Sequence, residues 1–467
     1  MHLNVGEVAR ITGGEVVAGS PDTVVTSFTN DSREVVPGAC FLALRDHRDG
    51  HDFVRDAFRA GAAAALVERV PDGVRGGAHA LVRVPGVVAA LAALGRDARD
   101  RLPSATVVGI TGSAGKTSTK DLTVAALSRT LAAHANVASF NNEIGLPMTL
   151  LHAPATTEVL VTEMGARFAG NIRDLCDIAR PTVGVITHVG LAHAEHLGGP
   201  EGVAAVKGEL LEALPASGLA VLNADDPSTP ELAARSVAGI LYVGLGASSE
   251  GDVRVRDVEL DDGLRARFHL ESPWGSGSIR LGVRGEHQVV NAAMGAAVAL
   301  SLGVPFDELA TGLESATASG GRLQLDRAES GLVVLDDTYN ASPTSMAAAL
   351  RSLVRVPVAG ARIAVLGEMR ELGPHAVVEH TAIGRLAVEL GVDCVIAVGG
   401  TEAMAALAGA VVSAGGRCER VPEAGAVGPV LAAQMGPADA VLVKASRAVR
   451  LEPVAEGLRT GAIGVRA

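Results

Sequence analysis

The segment Gly109-Ile-Thr-Gly112-Ser-Ala-Gly115-Lys116-Thr117 carries the densest set of chemistry-bearing residues in the chain. Small residues in a turn let backbone N–H groups approach an anion closely, and a helix N-terminus beside the turn favours negative charge. Gly112, Ser113, Ala114, Gly115, Lys116, Thr117 and Ser118 therefore read as a polyphosphate cradle. Lys116 would meet the phosphates and Thr117 would offer its hydroxyl to Mg²⁺. The spacing departs from strict GxxxxGK[ST], because position 110 is Ile.

A triphosphate needs more positive charge than one lysine supplies. Arg322, in the turn Ala-Ser-Gly-Gly-Arg, and Lys444 with Arg447, near the end of a late apolar run, are the candidates. Mg²⁺ needs hard oxygen ligands and takes one or two carboxylates beside its waters. Glu163 closes the run VLVTE, which is where parallel sheets present ligands. Downstream, THVGLAHAEH places three histidines within residues 188–196, His193 among them.

These groups need a scaffold, and the pattern supplies one. Short β-branched runs alternate with Ala/Leu-rich helical spacing, which predicts an α/β protein with largely parallel sheets. Strands are expected at Ser104–Thr111, Val159–Glu163, Thr182–Thr187 and Leu219–Asn223, with a helix from Lys116 to about residue 133. A second βαβ train has strands at Leu332–Leu335, Arg362–Leu366, Cys394–Val398 and Ala440–Val443. Its helices are expected near Pro343–Leu353, His380–Leu390 and Glu402–Ala414. The first hundred residues form a further unit that ends near the charged stretch GRDARDRLPS. We expect three domains, at 1–102, 103–317 and 318–467.

The 467 residues carry 40 Lys+Arg against 52 Asp+Glu, a net charge of −12, and only 2% are aromatic. Nucleic acid is a poor partner for such a surface. Mean hydropathy is +0.31, yet no apolar run approaches the ~20 residues of a spanning helix. Four cysteines far apart, with no CxxC pair and no basic-then-apolar leader, predict a reduced cytoplasmic protein without a cysteine metal cage. From these residues alone a P-loop NTPase or phosphotransferase stays open.

A longer set of motifs narrows the choice. TGSAGKTSTK, NNEIGLP, EMGA, THVGLAHAEHLG, KGEL, LNADDP, GEHQVVNAA, GRLQ, DDTYNASP, LGEMRELG and VLVKASR occur in the order found in Mur ligases. The chain resembles that family over its whole length, and NDSR with DGHDF resembles its UDP-binding domain. NNEIGLP and DDTYNASP resemble the branch that adds a dipeptide. The resemblance implies an N-terminal UDP-substrate domain, a central ATP domain and a Rossmann-like C-terminal domain. It also implies ATP-driven amide formation between a UDP-linked muramoyl peptide and D-Ala-D-Ala, by a monomer.

By position, it puts Lys116 on the phosphates, Thr117 and Glu163 on Mg²⁺, and His193 on a second Mg²⁺. Lys207 would be a carbamylated metal ligand, making Lys116, His193 and Lys207 the catalytic set. Asn291 would meet adenine, Arg322 the γ-phosphate, and Asp337 the ribose or phosphate side. Ser32, Arg33, Asn141, Asn142, Tyr339 and Asn340 would contact the other substrates. Three positions depart from the family pattern: Ser342 and Gln288 where Asn is frequent, and Ala445 where Gly is usual. They leave open a paralogue that joins another amine to another carboxylate. The cations on the last domain imply an open state that closes on substrate.

Overall fold

Runs such as Val159–Glu163 and Cys394–Val398 are buried along their whole length. That is the condition under which a strand carries apolar residues on both faces, with helices covering each side of a parallel sheet. In the computed structural model the described residues are 2–72, 79–137, 139–192, 194–245 and 251–465. They form three successive α/β units, each built on its own sheet.

The first sheet has the order Glu15–Ala18, Ala80–Arg83, Ala64–Val67, Ala39–Leu42, Ser27–Thr29, with only its first pairing antiparallel. The central sheet is nine-stranded. Its parallel part runs Ala133–Ala135, Val159–Glu163, Thr106–Thr111, Val183–Ile186, Leu219–Asn223, Gly239–Leu245, Val253–Leu260. Arg265–Ser272 and Gly275–Arg284 then extend it as an antiparallel hairpin. The last sheet has the order Gln324–Arg327, Val333–Asp336, Ala440–Lys444, Arg362–Gly367, Cys394–Val398, Cys418–Val421, antiparallel only at its first pair.

One sequence expectation changes. The helix beginning at Lys116 ends at Leu127, and Ala133–Ala135 is an edge strand of the central sheet. Ser128 and the turn after it break the helical run, so the chain can reverse and pair with Val159–Val161. The charged stretch at 95–104 is built into the fold. Its first part finishes the helix Val87–Asp100, and Arg99 is buried, donating to the carbonyls of Ala179, Leu102 and Ala105. One continuous apolar cluster joins the first unit to one face of the central sheet, from Val5 and Leu91 to Leu146, Ile178 and Leu210. The last unit has clusters of its own, reaching the rest of the chain through Leu264 and Leu191. Among the described residues, no helix is long and apolar enough to cross a membrane.

Candidate active site

Thr106–Thr111 lies between Val159–Glu163 and Val183–Ile186, with Glu163 in register with Ile110 and Ile186 with Thr111. The carboxyl ends of all three strands therefore stop at one level, where the turn 112–115 leads into helix Lys116–Leu127. Gly112 has φ +148°, and a Cβ there would lie 2.0 Å from Thr187 Oγ1. Gly115 has φ +81°, and its Cβ would lie 2.6 Å from Asn291 Oδ1. Both positions need glycine for conformation and for space.

Side chains clamp this loop from neighbouring strand ends. Thr187 donates to Ala114 O at 2.5 Å, and Ser113 N–H donates to His188 O at 2.7 Å. Lys116 Nζ folds back onto Gly112 O at 2.7 Å. Burial pushes the Lys116 ammonium below its ordinary pKa and Arg322 adds to this, although Glu163 pulls the other way. From the far side, Asn291 accepts from Thr119 and donates to Gln288, whose amide reaches Ser118.

Glu163 is 2% exposed and its oxygens are held in place. Thr117 Oγ1 donates to Oε2 and Asn141 Nδ2 donates to Oε1, both at 2.6 Å, while its N–H donates to Asn136 Oδ1 at 2.9 Å. A hydroxyl and a carboxylate oxygen this close form the sparse hard-oxygen pair that Mg²⁺ takes when phosphates and water complete its shell. The donor set fits the ion.

The third unit closes over this pair. Arg322 Nη2 donates to Thr117 Oγ1 at 2.8 Å, and its guanidinium carbon lies 4.1 Å from the Tyr339 ring centre. Arg447 lies 5.4 Å from the same centre, and the Tyr339 hydroxyl meets Ser139 of the central unit. Together these elements bound a cleft of about 1650 Å³. Its wall includes Ser113 to Ser118, Asn141, Asn142, Glu163, Asn291, Arg322, Asp337, Tyr339 and Asn340.

Other expected residues have different surroundings. Asp337 accepts from Lys444 at 2.5 Å and from Leu323 N–H, while Lys444 also donates to Asn340 O. Lys444 is therefore committed inside its own sheet. Asn142 accepts from Ile144 and Gly145 N–H, anchoring the start of helix Gly145–His152. Ser32 and Arg33 are on the first unit, outside the cleft wall, and the exposed Arg33 pairs with Asp31. His193 falls outside the described residues.

Lys207 is 1% exposed and its Nζ has no hydrogen-bond partner among the described residues. Burial brings its pKa down to about 7, and Lys116 adds to the fall, against the pull of Glu209 and Glu163. A buried ammonium without an acceptor is disfavoured, so this site favours the neutral amine far more than water does.

The three departures from the family pattern are accommodated. Ser342 caps helix Pro343–Arg355 in a reciprocal pair with Ser345, a task Ser and Asn perform about equally. Ala445 has no positive φ, and its methyl occupies the space left by Gly367. Gln288 spans Ser118 and Asn291. Sequence reasoning missed Asn136 as the anchor of Glu163, and His287, whose buried Nδ1 lacks a partner and whose pKa burial lowers. It also missed His188 Nδ1 on Asp226 Oδ2 at 2.7 Å. Only His188 gave a signal, as one of the clustered histidines.

Residues 110–299 match the Mur ligase middle domain, and residues 321–447 match the glutamate ligase domain of Mur ligases. The chain is 40% identical to the UDP-N-acetylmuramoyl-tripeptide–D-alanyl-D-alanine ligase of Mycobacterium tuberculosis, over 98% of both chains. This chain belongs to the Mur ligase family. As a Mur ligase it is an ATP-dependent acid–amino acid ligase. Its fold matches a crystal structure of MurF from Acinetobacter baumannii with TM-score 0.87 and 32% identity, over 98% of this chain and 99% of that one. It also matches MurF from Thermotoga maritima in complex with ADP, with TM-score 0.77 and 31% identity over 92% and 96%.

Proposed function

We propose that this Mur ligase adds D-Ala-D-Ala to a UDP-N-acetylmuramoyl-tripeptide, with ATP going to ADP and phosphate, in peptidoglycan precursor synthesis. The observation that carries the reading is the chain Arg322–Thr117–Glu163. It brings a cation from the last unit onto the hydroxyl and carboxylate at the mouth of the phosphate loop. The named relatives perform this ligation, and the chain covers them almost end to end.

Ligation requires a carboxylate to become a good acyl donor. A donor oxygen attacks the γ-phosphorus, the bond to the ADP oxygen breaks, and an acyl phosphate forms. The amine nitrogen then adds to the acyl carbon, phosphate leaves from the tetrahedral adduct, and the nitrogen loses its proton. This chain contributes position and charge. Backbone N–H groups of 114–117 and Lys116 hold the phosphates, Arg322 meets the γ-phosphoryl group, and the closed last unit excludes water from the acyl phosphate.

Mg²⁺ bound by Thr117 and Glu163 would neutralise phosphate charge. The family's second ion would use His193 and a modified Lys207. The neutral Lys207 amine can add CO₂, forming an N–C bond and releasing one proton, and the resulting carbamate is an anionic oxygen ligand. Asn291 takes the adenine side. Ser32 and Arg33 take the nucleotide end of the donor, and Asn141, Tyr339 and Asn340 line the acceptor end. All these groups come from one chain, so a monomer holds a complete site, and a UDP-linked donor together with ATP points to the cytoplasm as the place of reaction.

The test incubates the protein with ATP, Mg²⁺, the UDP-muramoyl tripeptide and D-Ala-D-Ala and weighs the product. A UDP-muramoyl pentapeptide is expected. ADP release that requires a different amine would overturn the substrate assignment, and release that requires none would make the protein an NTPase.

A further inference from the structure

Arg447 is a cation of the cleft wall that makes no hydrogen bond to the phosphate loop among the described residues. It follows strand Ala440–Lys444 at its carboxyl end, where open parallel sheets place ligands. The residue is exposed, lines the cleft, and has no ion-pair partner among the described residues. Among its neighbours Lys444 is engaged by Asp337, Arg370 by Glu368 and Arg167 by Glu371, while Arg450, also on the cleft wall, has no ring beneath it among the described residues. What holds Arg447 is the Tyr339 ring, which also carries Arg322. A guanidinium stacked on an aromatic face keeps its N–H edge free, and that edge matches a carboxylate bidentately. Two cations sharing one ring repel each other, and anions bound to them would relieve the repulsion.

We propose that Arg447 binds the free terminal carboxylate of the peptide acceptor, with Tyr339 as the spacer between it and the phosphoryl site at Arg322. The proposal rests on the ligase reading above and adds the acceptor's anchor. Guanidinium carbons at 4.1 and 5.4 Å from one ring centre stand within about 10 Å of each other, and a dipeptide spans about 7 Å. An acceptor anchored by its carboxylate on Arg447 therefore carries its amine to the Arg322–Thr117 side, where the acyl phosphate forms. A single amino acid anchored the same way reaches about 3.5 Å less far.

Kinetics with D-Ala-D-Ala and with its C-terminal amide test this. In the native enzyme the amide should show a KM about 10- to 100-fold higher, the range expected for losing a charge-assisted pair. Arg447→Gln should raise the KM for D-Ala-D-Ala by a similar factor and abolish the distinction between acid and amide, with Arg447→Lys recovering part of it. The KM for ATP should stay within about twofold, as no phosphate contact is lost. Equal use of acid and amide by the native enzyme overturns the proposal, and so does a rise in the KM for ATP in Arg447→Gln, which would put this cation on the phosphates. If the native enzyme makes no product with D-Ala-D-Ala, the substrate reading fails separately. The same acid-against-amide comparison on the amine that does support ADP release then decides the role of Arg447.

Discussion

A methyl group at position 115 would collide with Asn291 Oδ1 and would occupy a backbone conformation with φ +81° that L-residues resist. Left-handed strain costs about 1–2 kcal/mol at a non-glycine residue, before any collision. Gly115→Ala should therefore raise the KM for ATP at least tenfold by displacing Lys116 and Thr117, while melting shows a folded protein; an unchanged KM would contradict the cradle. Lys207 offers a second test at this scale. Its Nζ is sealed with no acceptor, so Lys207→Ala removes no hydrogen bond that the fold depends on. Activity should nevertheless fall about 10- to 100-fold, the range for a lost ligand-shell group. Native rates should also rise with added bicarbonate, with ¹³C label appearing at Lys207 after exposure to ¹³CO₂. Bicarbonate-independent rates together with an unmodified lysine would remove the carbamate.

Between residue and domain lies the turn 223–229, which braces the loop after Val183–Ile186. Asp226 accepts from His188, Val189 N–H and Ser228 N–H at 2.7 to 2.9 Å. Burial alone would raise its pKa, but these donors outweigh burial and hold it below its ordinary 3.8. A carboxylate with a depressed native pKa stabilises the fold fully above its unfolded value and loses that contribution as pH falls through the native one. With His188, the strongest of these donors, kept in place, Asp226→Asn should cost about 2–3 kcal/mol. Urea unfolding should show that gap present above pH 5 and narrowing below 3.8. A gap that widened in acid would reverse the assignment.

What the sequence made legible at this level were elements buried on both faces. Val159–Glu163, Leu219–Asn223 and Cys394–Val398 each open on three or more consecutive apolar residues and stand where the pattern placed them. Gly-Lys-Thr and the strand-end Glu163 were legible because loop and carboxylate each follow a strand. The hairpin Arg265–Arg284 was not, since its half-exposed strands mix Arg, Ser and Gly with apolar residues. The edge strand Ala133–Ala135 has three residues, too few to show a period. Contacts between elements distant in sequence, such as Asn141 on Glu163 or Tyr339 against two arginines, depend on how separate elements meet, and no local spacing records that.

At the scale of the whole molecule, the two junctions differ in kind. The first unit shares a continuous apolar cluster with the central sheet, reinforced by the buried Arg99. The last unit meets the centre mainly through polar contacts: Arg322 on Thr117, His188 Nε2 with Thr344 Oγ1 at 3.3 Å, Arg167 with Glu371 at 3.7 Å, and Ser139 with Tyr339. Interfaces of that composition permit relative motion, whereas a large apolar one resists it. The first and central units should therefore move as one body, with the last unit swinging about the turn 318–321. Without ligand, X-ray scattering should give a larger radius of gyration than with a non-hydrolysable ATP analogue, Mg²⁺ and the UDP-tripeptide together. Arg322→Ala should lessen the compaction, because the nucleotide then loses its only guanidinium link to the last unit on Thr117. Identical profiles with and without ligands would mean that the closed contacts persist in solution, and that substrates enter a cleft already assembled.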